Sequence, residues 1–259
     1  MSIKSLFDLS GRTALITGGS RGLGLQIAEA LGELGATIAI TARKSDELEA
    51  ARDTLAKLGV QAHPLVCDLG RAERVAPMVD QALAKLGRID ILVNNAGTTW
   101  GAPTEDYPLD AWVKLLNLNL TGAFLTTQRV GKLAMIPVRY GKIVNIASVA
   151  GLHGHLAEDM MPTIAYGTSK GGLISFTRVL AAEWGPHNIT VNAIAPGWFP
   201  SKMTKATLAE HGDAFAARSP LKRLGGEEDL KGTAALLASE ASRHITGQTI
   251  VVDGGASVI

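Results

Sequence analysis

An apolar run from Arg12 to Thr17 leads straight into Gly18-Gly19-Ser20-Arg21-Gly22-Leu23-Gly24. Beyond it, Leu23, Ile27, Ala28, Ala30 and Leu31 recur at helical spacing. Strand, glycine turn and helix in that order constrain the chain more than any other feature. A turn built this way lets a pyrophosphate approach the backbone and sit at the positive end of the helix. The glycines remove the side chains that would block that approach. A glycine-rich turn alone is an ordinary tight loop; the strand before it and the helix after it mark a nucleotide site in an α/β fold. Gly18, Ser20, Arg21, Gly22, Leu23 and Gly24 are therefore candidate cofactor contacts.

The chain then alternates between strand and helix patterns. Thr37 to Thr41 reads as the second strand, and Ala42, Arg43 and Lys44 follow it. A carboxylate at this strand end binds ribose hydroxyls in dinucleotide folds, whereas a basic residue accommodates a 2′-phosphate. Arg43, with Arg21 converging from the glycine turn, and no carboxylate there, points to NADP(H), because a guanidinium matches phosphate in charge and fork geometry. The competing reading is two solvated surface arginines. Ser45 is a plausible N-cap for a helix running to Leu58. Gln61 to Val66 reads as a third strand. Asp68, with Leu69 beside it, lies just beyond, where it can meet the adenine amino group or cap a helix.

A helix over about Arg71 to Leu86 precedes a strand from Ile89 to Val93 and then Asn94, Asn95, Ala96 and Gly97. Asn94 and Asn95 read mainly as structural groups that satisfy buried backbone, while Gly97 lets a cofactor approach. Trp112 to Met135 reads as one long helix in which Asn119 sits among leucines and needs a partner, which a kink and a nearby water would supply. The strand from Lys142 to Ala147 ends at Ser148, whose hydroxyl emerges at the C-terminal edge of the sheet. Tyr166 and Lys170 then lie four apart on a helical pattern and share one face. An ammonium one turn from a phenol favours the phenolate, lowers its pKa and makes it a usable proton donor and acceptor. Asn119, Ser148, Tyr166 and Lys170 are the candidate catalytic residues.

Ile189 to Ile194 reads as a strand leading to Pro196, Gly197, Trp198, Phe199 and Ser201. Ser201 to Leu221 is polar and partly helical, a candidate lid. A helix from Glu227 to Leu237 and a last strand, Thr249 to Val252, complete the pattern. With no repeat, linker or low-complexity segment, residues 1–259 read as one domain.

Net charge is +1 with no basic cluster, so neither nucleic acid nor an acidic membrane is an expected partner. The single cysteine, Cys67, excludes a disulfide framework and suits a cytoplasmic protein. No signal-peptide core or membrane-length apolar run is present. His153, His155, Glu158 and Asp159 fall in a glycine-containing loop that does not fix ligand geometry, so no metal is expected.

The chain resembles the short-chain dehydrogenase/reductase family along essentially its whole length. The resemblance rests on Thr17-Gly18-x-x-x-Gly22-x-Gly24, Asn94 to Gly97, Asn119, Ser148, Tyr166-x-x-x-Lys170, Pro196-Gly197 and Asp253-Gly254-Gly255. It implies a doubly wound Rossmann fold with a seven-stranded parallel sheet and helices on both faces, assembled as a homotetramer. It further implies that Tyr166 is the acid or base and that Ser148 holds the substrate oxygen. Lys170 would bind nicotinamide ribose and depress the Tyr166 pKa, and Asn119 would hold a water in a proton relay. The main chain from Pro196 to Phe199 and the Ser201 hydroxyl would orient the carboxamide.

Within the family, Asn95 to Ala102 and Ala195 to Thr204 look like the 3-oxoacyl thioester reductases, in particular the rhamnolipid-pathway branch. The loop between Ser148 and Tyr166 is longer than usual. With Trp100, Trp198, Phe199, Met160 and Met161, it suggests an apolar or cyclic ketone, unless those side chains serve packing. A sugar-acid or polyol dehydrogenase is the alternative within the family, and a nucleotide-binding protein without turnover the alternative outside it.

Overall fold

Seven parallel strands form one sheet in the order β3-β2-β1-β4-β5-β6-β7. The structure is a computed structural model and describes residues 2–154 and 162–259. The strands are β1 Thr13–Thr17, β2 Thr37–Ala42, β3 Ala62–Val66, β4 Ile91–Asn94, β5 Gly141–Ile146, β6 Ile189–Pro196 and β7 Thr249–Val252. Each lies within about two residues of its expected bounds. The chain builds outward from β1 to β3, then crosses back past β1 to start β4. That reversal opens a crevice between β1 and β4 at the strands' C-terminal ends, where open α/β sheets bind ligands.

Strand periodicity explains why both sheet faces are covered. Ala14 and Ile16 of β1, Ile38 and Ile40 of β2, and Ile91 and Val93 of β4 enter one core with Ile27 and Leu31. Their neighbours Leu15, Ala39 and Leu92 point the other way, against Met78, Val79, Val130 and Trp184. With apolar side chains on both faces, a strand reads as a continuous run, as these do.

Three helical features depart from expectation. The stretch read as one helix over Trp112 to Met135 begins earlier, at Leu109, and contains two π-helical segments, Asn117–Thr121 and Gly131–Met135. Ser45 is the first helical residue of the Ser45–Lys57 helix, and Lys44 occupies the cap position without a side-chain hydrogen bond. The helix expected from Glu227 is regular only over Lys231–Ala238. Cys67 lies just beyond β3, buried beside the crevice. Among the described residues no helix is long and apolar enough to cross a membrane. His155, Glu158, Asp159, Met160 and Met161 lie outside the described residues.

Candidate active site

The glycine turn is held open by Asn95. Its Nδ2 donates to the carbonyls of Thr17 (2.9 Å) and Gly18 (3.0 Å). The Thr17 hydroxyl in turn accepts from the Asn95 and Ala96 amides at 2.9 and 3.0 Å. Gly18 (φ 66°) and Gly22 (φ 54°) adopt left-handed conformations, and a Cβ on Gly18 would stand 2.8 Å from Asn95 Nδ2. Packing and backbone conformation both require glycine there. Asn94 is structural, its Nδ2 donating to the side chains of Asn145 (Oδ1, 2.8 Å) on β5 and Thr127 (Oγ1, 2.9 Å) on the Gly122–Val130 helix, where backbone partners were expected.

Ser148 follows β5 directly and caps a short 3-10 turn, its Oγ accepting from the Ala150 amide at 3.2 Å. That turn packs on the Ile164–Trp184 helix at Gly151, where a Cβ would lie 2.6 Å from the Lys170 carbonyl carbon. The helix thereby brings Tyr166 into the same cleft as Ser148. Lys170 is 4% exposed and donates from Nζ to the Ile146 carbonyl at the end of β5, 2.6 Å away. The ammonium stands 5.7 Å from the Tyr166 ring centroid.

Electrostatics here depart from the simple expectation. Burial raises the Tyr166 phenol above its ordinary pKa, and the Ser148 hydrogen bond opposes that shift. Burial and Ser148 are the influences on the phenol, and burial also lowers the Lys170 pKa to about 8. Between pH 8 and its ordinary value of 10.5, Lys170 binds fewer protons in the fold than in the unfolded chain. The penalty of a buried ammonium is full below about pH 8 and is relieved as pH rises toward 10.5. Wild-type protein should therefore gain thermal stability relative to Lys170→Met across that window. Parallel melting curves at every pH would refute this assignment.

Asn119 lies one layer behind the crevice. Its Oδ1 accepts from the Thr98 amide, and its Nδ2 donates to the Thr98 carbonyl and to Ser169 Oγ, at 2.9, 2.9 and 3.0 Å. Protein groups supply the partners that a water was expected to provide. The π segment supplies the register change, and such segments gather at functional sites. Asn119 Oδ1 and Lys170 Nζ both face Gly97, where a Cβ would meet them at 3.4 and 3.6 Å.

Gly18, Ser20, Arg21, Gly22, Leu23, Gly24, Arg43, Leu69, Asn95, Ala96 and Gly97 line one continuous cleft with Ser148, Tyr166 and Lys170. Pro196, Gly197, Phe199 and Ser201 close its far lip. Phe199 turns its ring into the core at 4% exposure, leaving main chain at the cleft. Ser201 and Thr204 cap each other, the Ser201 amide donating to Thr204 Oγ1 at 2.9 Å and the Thr204 amide to Ser201 Oγ at 3.2 Å. Asp68 is not among the cleft-lining residues: it accepts from the Gly70 amide at 3.1 Å and caps the turn into the next helix. Several cleft residues carry no signal of that role in the sequence, Thr41, Lys44, Glu47 and Lys202 among them. Thr41 holds a buried hydroxyl without a protein partner, and Glu47 places a carboxylate among the cations where none was expected. The residues present fit a dinucleotide: side-chain-free glycines, an unpartnered hydroxyl, and cations at one end.

A family model described as enoyl-(acyl carrier protein) reductase matches residues 18–257. A short-chain type dehydrogenase/reductase from Mycobacterium marinum, 38% identical, superposes over 100% of both chains with a TM-score of 0.94. The chain belongs to the short-chain dehydrogenase/reductase family. This short-chain dehydrogenase/reductase is an NAD(P)-dependent oxidoreductase acting on CH–OH groups. It is 42% identical to the rhamnolipids biosynthesis 3-oxoacyl-[acyl-carrier-protein] reductase of Pseudomonas aeruginosa, over 96% of this chain and 97% of that one. A gluconate 5-dehydrogenase from Burkholderia cenocepacia J2315, solved in complex with NADP and tartrate, is 35% identical over 100% of both chains, with a TM-score of 0.92. The likeness to reductases of the 3-oxoacyl branch is thus shared with a sugar-acid enzyme.

Proposed function

We propose that this protein is an NADP(H)-dependent oxidoreductase of a polyhydroxylated substrate, a sugar acid or polyol and its ketone. The observation that carries the substrate class is where the aromatic side chains go. Trp100 packs edge-on against Tyr107, with ring centroids 4.9 Å apart, and Trp198 stacks on Phe215 at 4.4 Å. Neither tryptophan lines the cleft. Both tryptophans are thus engaged in aromatic pairs away from the cleft, where the Ser148 and Tyr166 hydroxyls stand. The gluconate 5-dehydrogenase bound to NADP supports both the cofactor and the substrate class.

In this reading Tyr166 is the acid or base and Ser148 holds the substrate oxygen beside it. The nicotinamide supplies or accepts hydride at the carbon bearing that oxygen. On reduction the Tyr166 hydroxyl gives its proton to the oxygen as charge develops there, and on oxidation the phenolate recovers it. Lys170, buried and bonded to Ile146, positions the ribose edge of the cofactor site. Asn119 holds Thr98 and Ser169 and thereby positions the Gly97 wall. Arg21 and Arg43 receive the 2′-phosphate.

A second reading, reduction of 3-oxoacyl thioesters, is favoured by the 42% identity to the Pseudomonas aeruginosa enzyme. Steady-state kinetics with keto sugar acids, polyols and 3-oxoacyl thioesters separate the two. Efficiency highest on thioesters would overturn the first. For the cofactor, Arg43→Asp is expected to lower NADPH efficiency by roughly tenfold or more while sparing NADH; an unchanged ratio removes the assignment.

We also propose a homotetramer. Val113 and Val179 are 45% and 63% exposed on the Leu109–Leu116 and Ile164–Trp184 helices, and Phe124 is 43% exposed in the segment that follows the first. Sedimentation equilibrium reads the assembly; a monomer at micromolar concentration would dismiss it.

A further inference from the structure

The carboxylate of Glu47 is the common partner of cations from three separate parts of the chain. Arg21 Nη1, from the glycine turn, contacts its Oε2. Lys44 Nζ, just past β2, and Lys202 Nζ, just past β6, stand 3.4 and 3.8 Å from its Oε1. Glu47 is the less exposed partner in every pair, at 23% against 47%, 59% and 65%. Arg43 lines the same end of the cleft. The three cations paired with Glu47, together with Arg43 in the same cleft, leave a formal surplus of three positive charges over one carboxylate, enough for a phosphate monoester carrying about −1.5 to −2 at neutral pH. Lys202 and Arg21 also lie on opposite lips of the cleft, close enough that a Cβ on Gly22 would stand 3.9 Å from Ser201 Cβ.

We infer that Glu47 is the resident counter-ion of the 2′-phosphate subsite, a specificity-determining residue that competes with the phosphate for Arg21 and Lys202. The inference rests on the NADP(H) reading above. With no phosphate present, Glu47 screens the cations and ties the two lips together. An arriving phosphate takes over Arg21 and Lys202, and Glu47 swings aside as a like charge. Its carboxylate therefore subtracts from affinity for the phosphorylated cofactor and leaves affinity for the unphosphorylated one unchanged. Lys202, on the segment leading into the Lys205–Arg218 helix, becomes a phosphate ligand from the lip opposite the glycine turn.

The test is calorimetric titration with 2′,5′-ADP and with 5′-ADP, which carry the adenosine end alone and require no turnover. Glu47→Gln, nearly isosteric and neutral, is expected to bind 2′,5′-ADP about threefold to tenfold more tightly than wild type at low ionic strength. The gain should shrink as salt is added, and 5′-ADP affinity should stay within about twofold. Lys202→Gln, an independent arm on the other lip, should weaken 2′,5′-ADP several-fold and leave 5′-ADP unchanged. If wild type itself shows no preference for 2′,5′-ADP, the NADP(H) reading fails. If wild type keeps that preference while Glu47→Gln binds 2′,5′-ADP no better, or Lys202→Gln binds it equally well, this inference fails and the reading stands.

Discussion

Tyr166→Phe is expected to lower kcat by roughly 10²- to 10⁴-fold, with affinity for 2′,5′-ADP unchanged. The substitution keeps the ring beside Lys170 and removes only the hydroxyl, which shares the cleft with Ser148. Because burial raises the phenol pKa, the protonated form is abundant throughout the neutral range. Ketone reduction by wild type should therefore be flat near neutrality and fall only in alkaline solution. Single-turnover hydride transfer isolates the chemical step from product release. A variant within about tenfold of wild type in that measurement would remove Tyr166 from the reaction.

Gly24→Ala is the second large effect. A Cβ there would lie 2.4 Å from Asn95 Nδ2 and 2.4 Å from the Gly18 carbonyl oxygen, and neither neighbour is free to yield. Asn95 is pinned by its bonds to Thr17 and Gly18, and the Gly18 oxygen belongs to the turn itself. The variant must break the pin or spread the turn. Overpacking of this kind costs about 1–3 kcal/mol, read by chemical denaturation. The spread turn should also weaken 2′,5′-ADP binding by roughly tenfold or more. Wild-type stability together with wild-type binding would mean that Asn95 does not hold the turn.

Much of this architecture is legible before any coordinates, and the parts that are not share a cause. β1 and β2 fall at or beside their expected bounds because buried parallel strands leave unbroken apolar runs. The alignment of Tyr166 with Lys170 follows from helical pitch alone. The two π segments did not register, because one extra residue per turn barely disturbs the apolar pattern of a helix. Asn119 reads as a polar group in need of partners, but Thr98 and Ser169 are distant in sequence and only the fold brings them to it. Glu47 reads locally as an ordinary first-turn acid of a helix. Its place among Arg21, Lys44 and Lys202 depends on how β2 and β6 end relative to each other. Trp198 takes the packing alternative, and its partner Phe215 lies across a turn of chain that sequence spacing does not identify.

The close approach at Gly151 has a bearing on how such a protein can change what it acts upon. One hydroxyl is delivered by a strand end and the other by a helix, and the gap between them is fixed where two main chains touch with no side chain between. Rotamers and loop residues can vary around that contact without moving it. New substrates can thus be accommodated by altering the walls alone, while the distance that governs proton transfer stays constant; a methyl group at residue 151 would impair the reaction from outside the pocket.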